Sequence, residues 1–135
     1  MPGWVVTPDD LKRGDLAKVG WHPAEIIEYS EATVTSAEAK NPGSLNCIFK
    51  FKIIDGPSVG IVAQKLFNET AWGFAKNFFA AMEYPKDPQS GGYQISSSLF
   101  NQSVGHKLMI YIKTGKSNKG NEFNDVQDFK PLKAS

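Results

Sequence analysis

Lysines and a tyrosine recur at strand spacing in two parts of this sequence, and their types suit contact with a flexible polyanion. Apolar and polar side chains alternate in residues 45–54 and 107–113, so each segment predicts a half-buried strand with one outward face. The outward positions are Lys50, Lys52, Tyr111 and Lys113. Lysine ammonium groups can hold phosphates, and a tyrosine ring can stack on a base. The alternative is that these are ordinary solvated positions, with Tyr111 covered by the N-terminal arm.

The residue types needed for catalysis or metal binding are few and scattered. Cys47, the only cysteine, falls on the apolar face of its predicted strand, which indicates a small buried side chain. His22 and His106 have no metal-like spacing to each other or to a cysteine. Asp125 and Asp128 would face opposite sides of a regular strand. We therefore expect no catalytic residue, no metal site and no cofactor, and predict that the protein is not an enzyme.

Five predicted strands and one predicted helix must position the lysines and the tyrosine. Period-two alternation, β-branched and aromatic residues and turn residues such as Asp55 and Gly56 mark the strands. The predicted strands cover residues 21–34, 45–54, 59–67, 107–113 and 122–129. Helical spacing of apolar residues predicts an amphipathic helix over 69–83, capped by Asn68 or Thr70. A short helical turn is predicted over 96–102, ahead of the fourth strand.

This order of elements predicts a mainly β fold: a five-stranded oligonucleotide/oligosaccharide-binding (OB) barrel with an α-helix between strands three and four. A half-barrel or a mixed α+β sandwich would show the same order. The chain has 135 residues, of which 41% are hydrophobic, enough for one folded domain. We predict an irregular N-terminal arm at 1–15, an OB-fold domain at 16–132 and a short tail at 133–135.

The composition also bears on location and charge. The single cysteine fits a reducing compartment, and neither a signal peptide nor a run of eighteen apolar residues is present, so we expect a cytoplasmic protein without membrane contact. The formal net charge is +1, so any basic surface must be local.

Two predicted loops carry further lysines. Lys116 and Lys119 lie between strands four and five, and Lys40 lies between strands one and two. In OB folds these two loops clasp the ligand. Of the three tryptophans, Trp21 and Trp72 are expected in or near the core, whereas Trp4 lies in the arm.

Three stretches of the sequence resemble small phage-encoded OB-fold single-stranded DNA-binding proteins. They are GWHPAEIIE at 20–28, LNCIFKFKI at 45–53 with the turn that follows, and GNEFNDVQDFKPL at 120–132. The resemblance implies sequence-independent binding of single-stranded DNA by base stacking and phosphate contacts, in phage DNA replication or recombination within an infected bacterium. It also implies partnership with phage replication or recombination proteins and allows a homo-oligomer. Residues 129–135 lack the acidic tail of bacterial-type members, so recruitment through such a tail is not expected.

A function of another class stays open on the sequence alone. The alternative hypothesis is an assembly module: an OB-like barrel whose outer face pairs with itself or with a recombinase. The near-zero net charge favours this reading, whereas the lysines on predicted strand four and its loop favour DNA binding.

Overall fold

The computed structural model describes Gly3, Val5 and residues 15–35 and 41–132. The five strands are β1 (Gly20–Thr33), β2 (Leu45–Ile53), β3 (Val62–Asn68), β4 (Lys107–Lys116) and β5 (Glu122–Pro131). Between β3 and β4 lie a 3₁₀ turn (Trp72–Ala75) and two short helices, α1 (Lys76–Ala81) and α2 (Ser97–Gln102). In this part of the chain, no helix combines the length and the apolar character needed to cross a membrane.

The strands close into a barrel in the order β1-β2-β3-β5-β4. Four of the neighbouring pairs are antiparallel, and β3 with β5 is parallel. The predicted fold class, a five-stranded barrel with helical structure between the third and fourth strands, is therefore confirmed. The half-barrel and the α+β sandwich do not fit a closed ring of strands.

Alternating apolar side chains fill the barrel, as the period of two predicts. Phe49 and Phe51 of β2 point inward and are completely buried. Phe78 of α1 is also buried, with its ring centroid 4.8 Å from that of Phe49 and 5.0 Å from that of Phe129. Burial of one such ring stabilises the fold by roughly 1.5–3 kcal/mol, and α1 is held against the barrel by this contact.

The segment predicted as one helix over 69–83 is shorter and irregular. Its start is a turn in which the Thr70 N–H donates to Asn68 Oδ1 at 2.9 Å, so Asn68 organises a turn and does not cap a helix. Glu83 has a φ of 54°, a left-handed conformation that ends α1. The predicted turn over 96–102 is α2, where Ser96 Oγ accepts the Leu99 N–H at 3.1 Å.

A β-bulge at Ile27 changes the inward face of β1. The pairing with β2 shifts between Ile26 and Glu28, which turns Tyr29 toward the core. The Tyr29 ring lies 4.9 Å from Phe49 and 5.3 Å from Phe100. The part of β1 before the bulge therefore contributes to the barrel interior. After the bulge, Tyr29 packs on Phe100 of the helical insert.

Residues 15–18 pack on the barrel. The Ala17 N–H donates to Asn124 Oδ1 at 2.7 Å, and Asn124 Nδ2 donates to the carbonyl of Asp15 at 2.9 Å. The Lys18 N–H donates to Ser58 Oγ at 2.9 Å. The segment that precedes β1 thus lies along β5, whereas most of the predicted arm and the predicted tail lie outside the described residues.

Candidate nucleic-acid interface

The two predicted lysines of β2 lie on the outer surface of the barrel. Lys50 is opposite Gln64 of β3, and Lys52 is opposite Val62. The Lys50 ammonium lies 2.9 Å from Glu28 Oε2, and both side chains are about half exposed, at 41% and 53%. An exposed pair of this kind contributes only about 0–1 kcal/mol and is weakened by salt, so Lys50 can exchange the carboxylate for another anion.

The β4–β5 hairpin carries the other predicted lysines. Lys113 faces outward and pairs in register with Asp125, and Lys116 pairs with Glu122. The loop is closed by the Ser117 N–H donating to the Asn121 carbonyl at 2.8 Å, with Lys119 exposed at its tip. The β4–β5 hairpin therefore carries three exposed ammonium groups, those of Lys113, Lys116 and Lys119.

Between β3 and β5 the described residues pair at a single position, Gln64 with Asp125. A groove of about 510 Å³ opens along this junction, and we call it the seam groove. It is lined by Leu16, Val62, Ala63, Gln64, Leu66, Glu122, Phe123 and Asn124. The cross-strand row that runs from Lys50 through Gln64 and Asp125 to Lys113 crosses the seam, so the lysines of β2 and β4 flank it.

Phe123 is the aromatic ring of the seam groove. Its side chain is 46% exposed, and Leu66 across the groove is 44% exposed. The ring lies over Gly115, where an added Cβ would come within 2.6 Å of Phe123 Cζ. A glycine opposite an aromatic on neighbouring strands is the sequence signal that would have found this site, since the small residue gives the ring its place. Our sequence reasoning treated Phe123 only as part of the strand pattern and missed it.

Tyr111 lies two residues along β4 from Lys113, in a different environment. It is half-buried and packs edge-on against Trp21 of β1, with ring centroids 5.3 Å apart. The Lys130 ammonium lies 4.3 Å from the centre of the Trp21 ring. Trp21 is 37% exposed on the outer face, so its expected place in the core was wrong. Trp72 is partly buried against the core, as expected.

Cys47 and His22, residues of types that often act in catalysis, are both buried in the fold. Cys47 is 2% exposed, and its burial raises the pKa of the thiol. His22 is also buried, and its Nε2 lies 2.5 Å from the Lys18 carbonyl, to which it donates.

The prediction that Asp125 and Asp128 face opposite sides of β5 was wrong. A bulge at Gln127 shifts the pairing with β4, so that Asp125 and Asp128 both lie on the outer side and not on opposite sides. Asp125 accepts from Gln127, and Asp128 accepts from Asn77 of α1 at 2.7 Å. Among the residues that the structure describes, no group of three potential metal ligands lies close together.

The structure thus separates the predicted site residues into groups. Lys50 and Lys52 lie opposite Gln64 and Val62, two lining residues of the seam groove, and Lys113 lies on its other side, opposite Asp125. Lys116 and Lys119 lie at the end of β4 and in the hairpin loop, and Tyr111 belongs to the Trp21 surface. Lys40, in the other predicted clasping loop, and Trp4 lie outside the described residues.

Comparison of the sequence with models of known protein families and with curated proteins gives no match.

Proposed function

We propose that this protein binds single-stranded DNA without sequence preference, with the seam groove as the principal contact. The observation that carries the proposal is the exposed ring of Phe123 in a groove flanked by lysines on both sides. Single-stranded nucleic acids bind where cations follow the phosphates and aromatic rings stack on the bases, and every base offers a ring face regardless of sequence.

The charge around the groove suits a ligand that binds reversibly. Lys50 and Lys113, which flank the groove, and Lys116 at the end of β4 each have an acidic residue beside them, namely Glu28, Asp125 and Glu122. These acids lower the local positive potential, so phosphate must compete with them for the ammonium groups. We therefore expect moderate affinity that falls steeply with salt, because each phosphate contact releases bound counterions.

The proposed role is binding and not catalysis, in phage DNA replication or recombination, within the cytoplasm of an infected bacterium. The resemblance of three sequence stretches to phage single-stranded DNA-binding proteins supports this context. The barrel supplies a rigid support for the contact, as expected for a site built on strands.

The experiment is a fluorescence titration of a labelled dT oligonucleotide at low and high salt, with the wild type and Phe123→Ala. We expect binding that weakens steeply with salt, and a loss of about 1–3 kcal/mol for Phe123→Ala, the usual contribution of one stacked base. Val104→Ala, which removes an exposed apolar side chain away from the groove, is the matched control. Failure of the wild type to bind at low salt would overturn the proposal.

A second candidate function is an assembly module that pairs with itself through the outer surface. The exposed Trp21 packed on the half-buried Tyr111, with acids and lysines interleaved around the pair, favours this function. Sedimentation velocity over a range of concentrations separates the two. The assembly function would be supported if the protein does not bind DNA and forms a dimer that dissociates when Trp21 is replaced by Ala.

A further inference from the structure

The insert between β3 and β4 carries a second aromatic groove, which contains none of the lysines predicted to bind DNA. It has a volume of about 540 Å³, and we call it the insert groove. Its lining residues are Trp72, Gly73, Lys76, Phe79, Tyr93 and Ile95. Most of this lining is apolar or aromatic, and no predicted binding residue takes part.

The rings of the insert groove are supported from behind by the core. Trp72 packs on Phe79 with ring centroids 5.8 Å apart and on Phe100 at 6.0 Å. Tyr93 packs on Phe79 at 5.5 Å. Phe79 and Phe100 are buried, whereas Trp72 and Tyr93 are only partly buried. A ligand would therefore meet rings that are already held in place, with little ordering cost.

Phe74 adds an almost fully exposed ring next to this groove. It is 84% exposed, although its backbone is fixed by a hydrogen bond from the Phe74 N–H to the Ala71 carbonyl at 3.2 Å. A single exposed apolar residue is ordinary on a protein surface. Phe74, however, directly follows Gly73, which lines the insert groove, so its backbone stands at the edge of the groove.

Lysines accompany the rings. Lys76 lines the groove, and the Lys86 ammonium lies 5.7 Å from the centre of the Tyr93 ring. Asp87, the acid next in sequence to Lys86, is engaged in its own loop, where it accepts from Ser90 Oγ at 2.7 Å. The surface thus combines partly exposed aromatic rings with cations, which is the combination that single strands require.

A second copy of the chain is a poorer occupant of this surface. In a two-fold symmetric contact the same patch faces itself, which would bring the Lys76 and Lys86 charges of the two copies together. A single strand of DNA, by contrast, offers phosphates to the lysines and bases to the aromatic rings.

Strand β3 connects the two grooves directly. Gln64 and Leu66 line the seam groove, and β3 ends at Asn68, four residues before Trp72. The six residues from Leu66 to Trp72 span at most about 22 Å. A strand lying in the seam groove therefore needs only a few further nucleotides to reach the insert groove.

We propose that the insert groove is a second stacking site for the same single-stranded DNA, reached by strands long enough to extend beyond the seam groove. This inference rests on the proposed function and adds the path that the DNA takes. It also assigns Phe74 and Lys86, two residues with no other evident role, to DNA contact.

The test compares a short and a long labelled dT strand, of about 5 and about 16 nucleotides, within the range occupied by one OB fold. The double variant Phe74→Ala with Lys86→Ala is measured beside the wild type. We expect the affinity for the long strand to fall by about tenfold or more, with the affinity for the short strand unchanged. Both side chains are exposed, so the melting temperature should stay near that of the wild type.

The matched control is the double variant Val104→Ala with Lys107→Ala. It removes the same net charge and an exposed apolar side chain, and neither residue lines either groove. This variant should bind both strands as the wild type does.

The outcomes separate the two proposals. If the wild type binds neither strand, the proposed function fails and this inference fails with it. If the wild type binds but Phe74→Ala with Lys86→Ala matches it at both lengths, only the insert groove is refuted. A variant that keeps its DNA affinity but loses self-association in sedimentation velocity would assign the surface to a protein partner and would also overturn the inference.

Discussion

The seam groove and the insert groove both present aromatic rings beside lysines, but they hold those rings in different ways. In the seam groove Phe123 leans on Gly115 of the adjacent strand, and its position follows from the register of one hairpin. In the insert groove Trp72 and Tyr93 rest on Phe79 and Phe100, residues that come together only when the insert packs.

Similar surface chemistry in the two grooves therefore depends on different contributions to the folding free energy. The seam groove depends on strand pairing and local spacing, whereas the insert groove depends on long-range packing of aromatic rings. Removal of one buried ring should therefore disturb the insert groove first.

Phe100→Ala should have the largest effect. Phe100 is 2% exposed and supports Trp72, Phe49 and Tyr29, so the change should cost about 3–5 kcal/mol of unfolding free energy. Urea denaturation measures this loss. At temperatures where the variant stays folded, binding of the short dT strand should persist, because the seam groove does not contain Phe100.

Phe74→Ala serves as the control for stability, since an exposed phenylalanine should change the unfolding free energy by no more than about 0.5 kcal/mol. A Phe100→Ala protein as stable as the wild type would contradict the role of this ring in supporting the insert.

Lys116→Ala with Lys119→Ala should have an intermediate effect, confined to binding. Loss of two phosphate contacts should weaken dT binding. It should also reduce the magnitude of the slope of log binding constant against log salt concentration by roughly 1–2, with the melting temperature nearly unchanged. The measurement is the binding constant at several salt concentrations.

Lys107→Ala with Lys130→Ala is the matched comparison at the opposite end of the same hairpin. It removes the same charge, so an equal loss of affinity there would mean that net charge alone, and not the hairpin loop, governs binding. Any loss of stability from the Lys130 contact with Trp21 will show in its melting temperature.

Gly115→Ala should have the smallest effect. The new methyl group must displace the Phe123 ring, whose far end can move, so the stability cost should be small while dT affinity falls severalfold. A double-mutant cycle with Phe123→Leu tests the cause, because the effect of Gly115→Ala should shrink once the ring is gone. An undiminished effect in the Phe123→Leu background would place the cause elsewhere.

The strands and their outward lysines were predictable because the two-residue alternation of apolar and polar side chains marks both the strand and the side chains that share a face. Lys50 and Lys113 follow that period directly, and their outward orientation required no long-range information. The failures occurred at irregular positions. The bulge at Gln127 inserts one residue into β5 and turns Asp128 to the side of Asp125, and no pattern in the local sequence marks it.

The placement of the aromatic residues was harder to predict from the sequence. Trp21 alternates with the inward-facing His22, yet an aromatic residue at a strand entry suits a core as well as a surface. Its outward place was decided by the pairing of β1 with β4, which brings it beside Tyr111. The helix expected over 69–83 was likewise shortened by turn geometry at its start and by the left-handed Glu83 at its end.

The number of strands, their buried faces and the outward direction of the lysines follow from the local sequence, because each depends on neighbours within a few residues. Which lysines lie beside one groove depends on the closed barrel, since Lys50 and Lys113 face each other across a seam that forms when β3 pairs with β5. The tertiary structure also decided that Trp72 and Tyr93 form one surface, because residues far apart in the chain pack on the same buried ring.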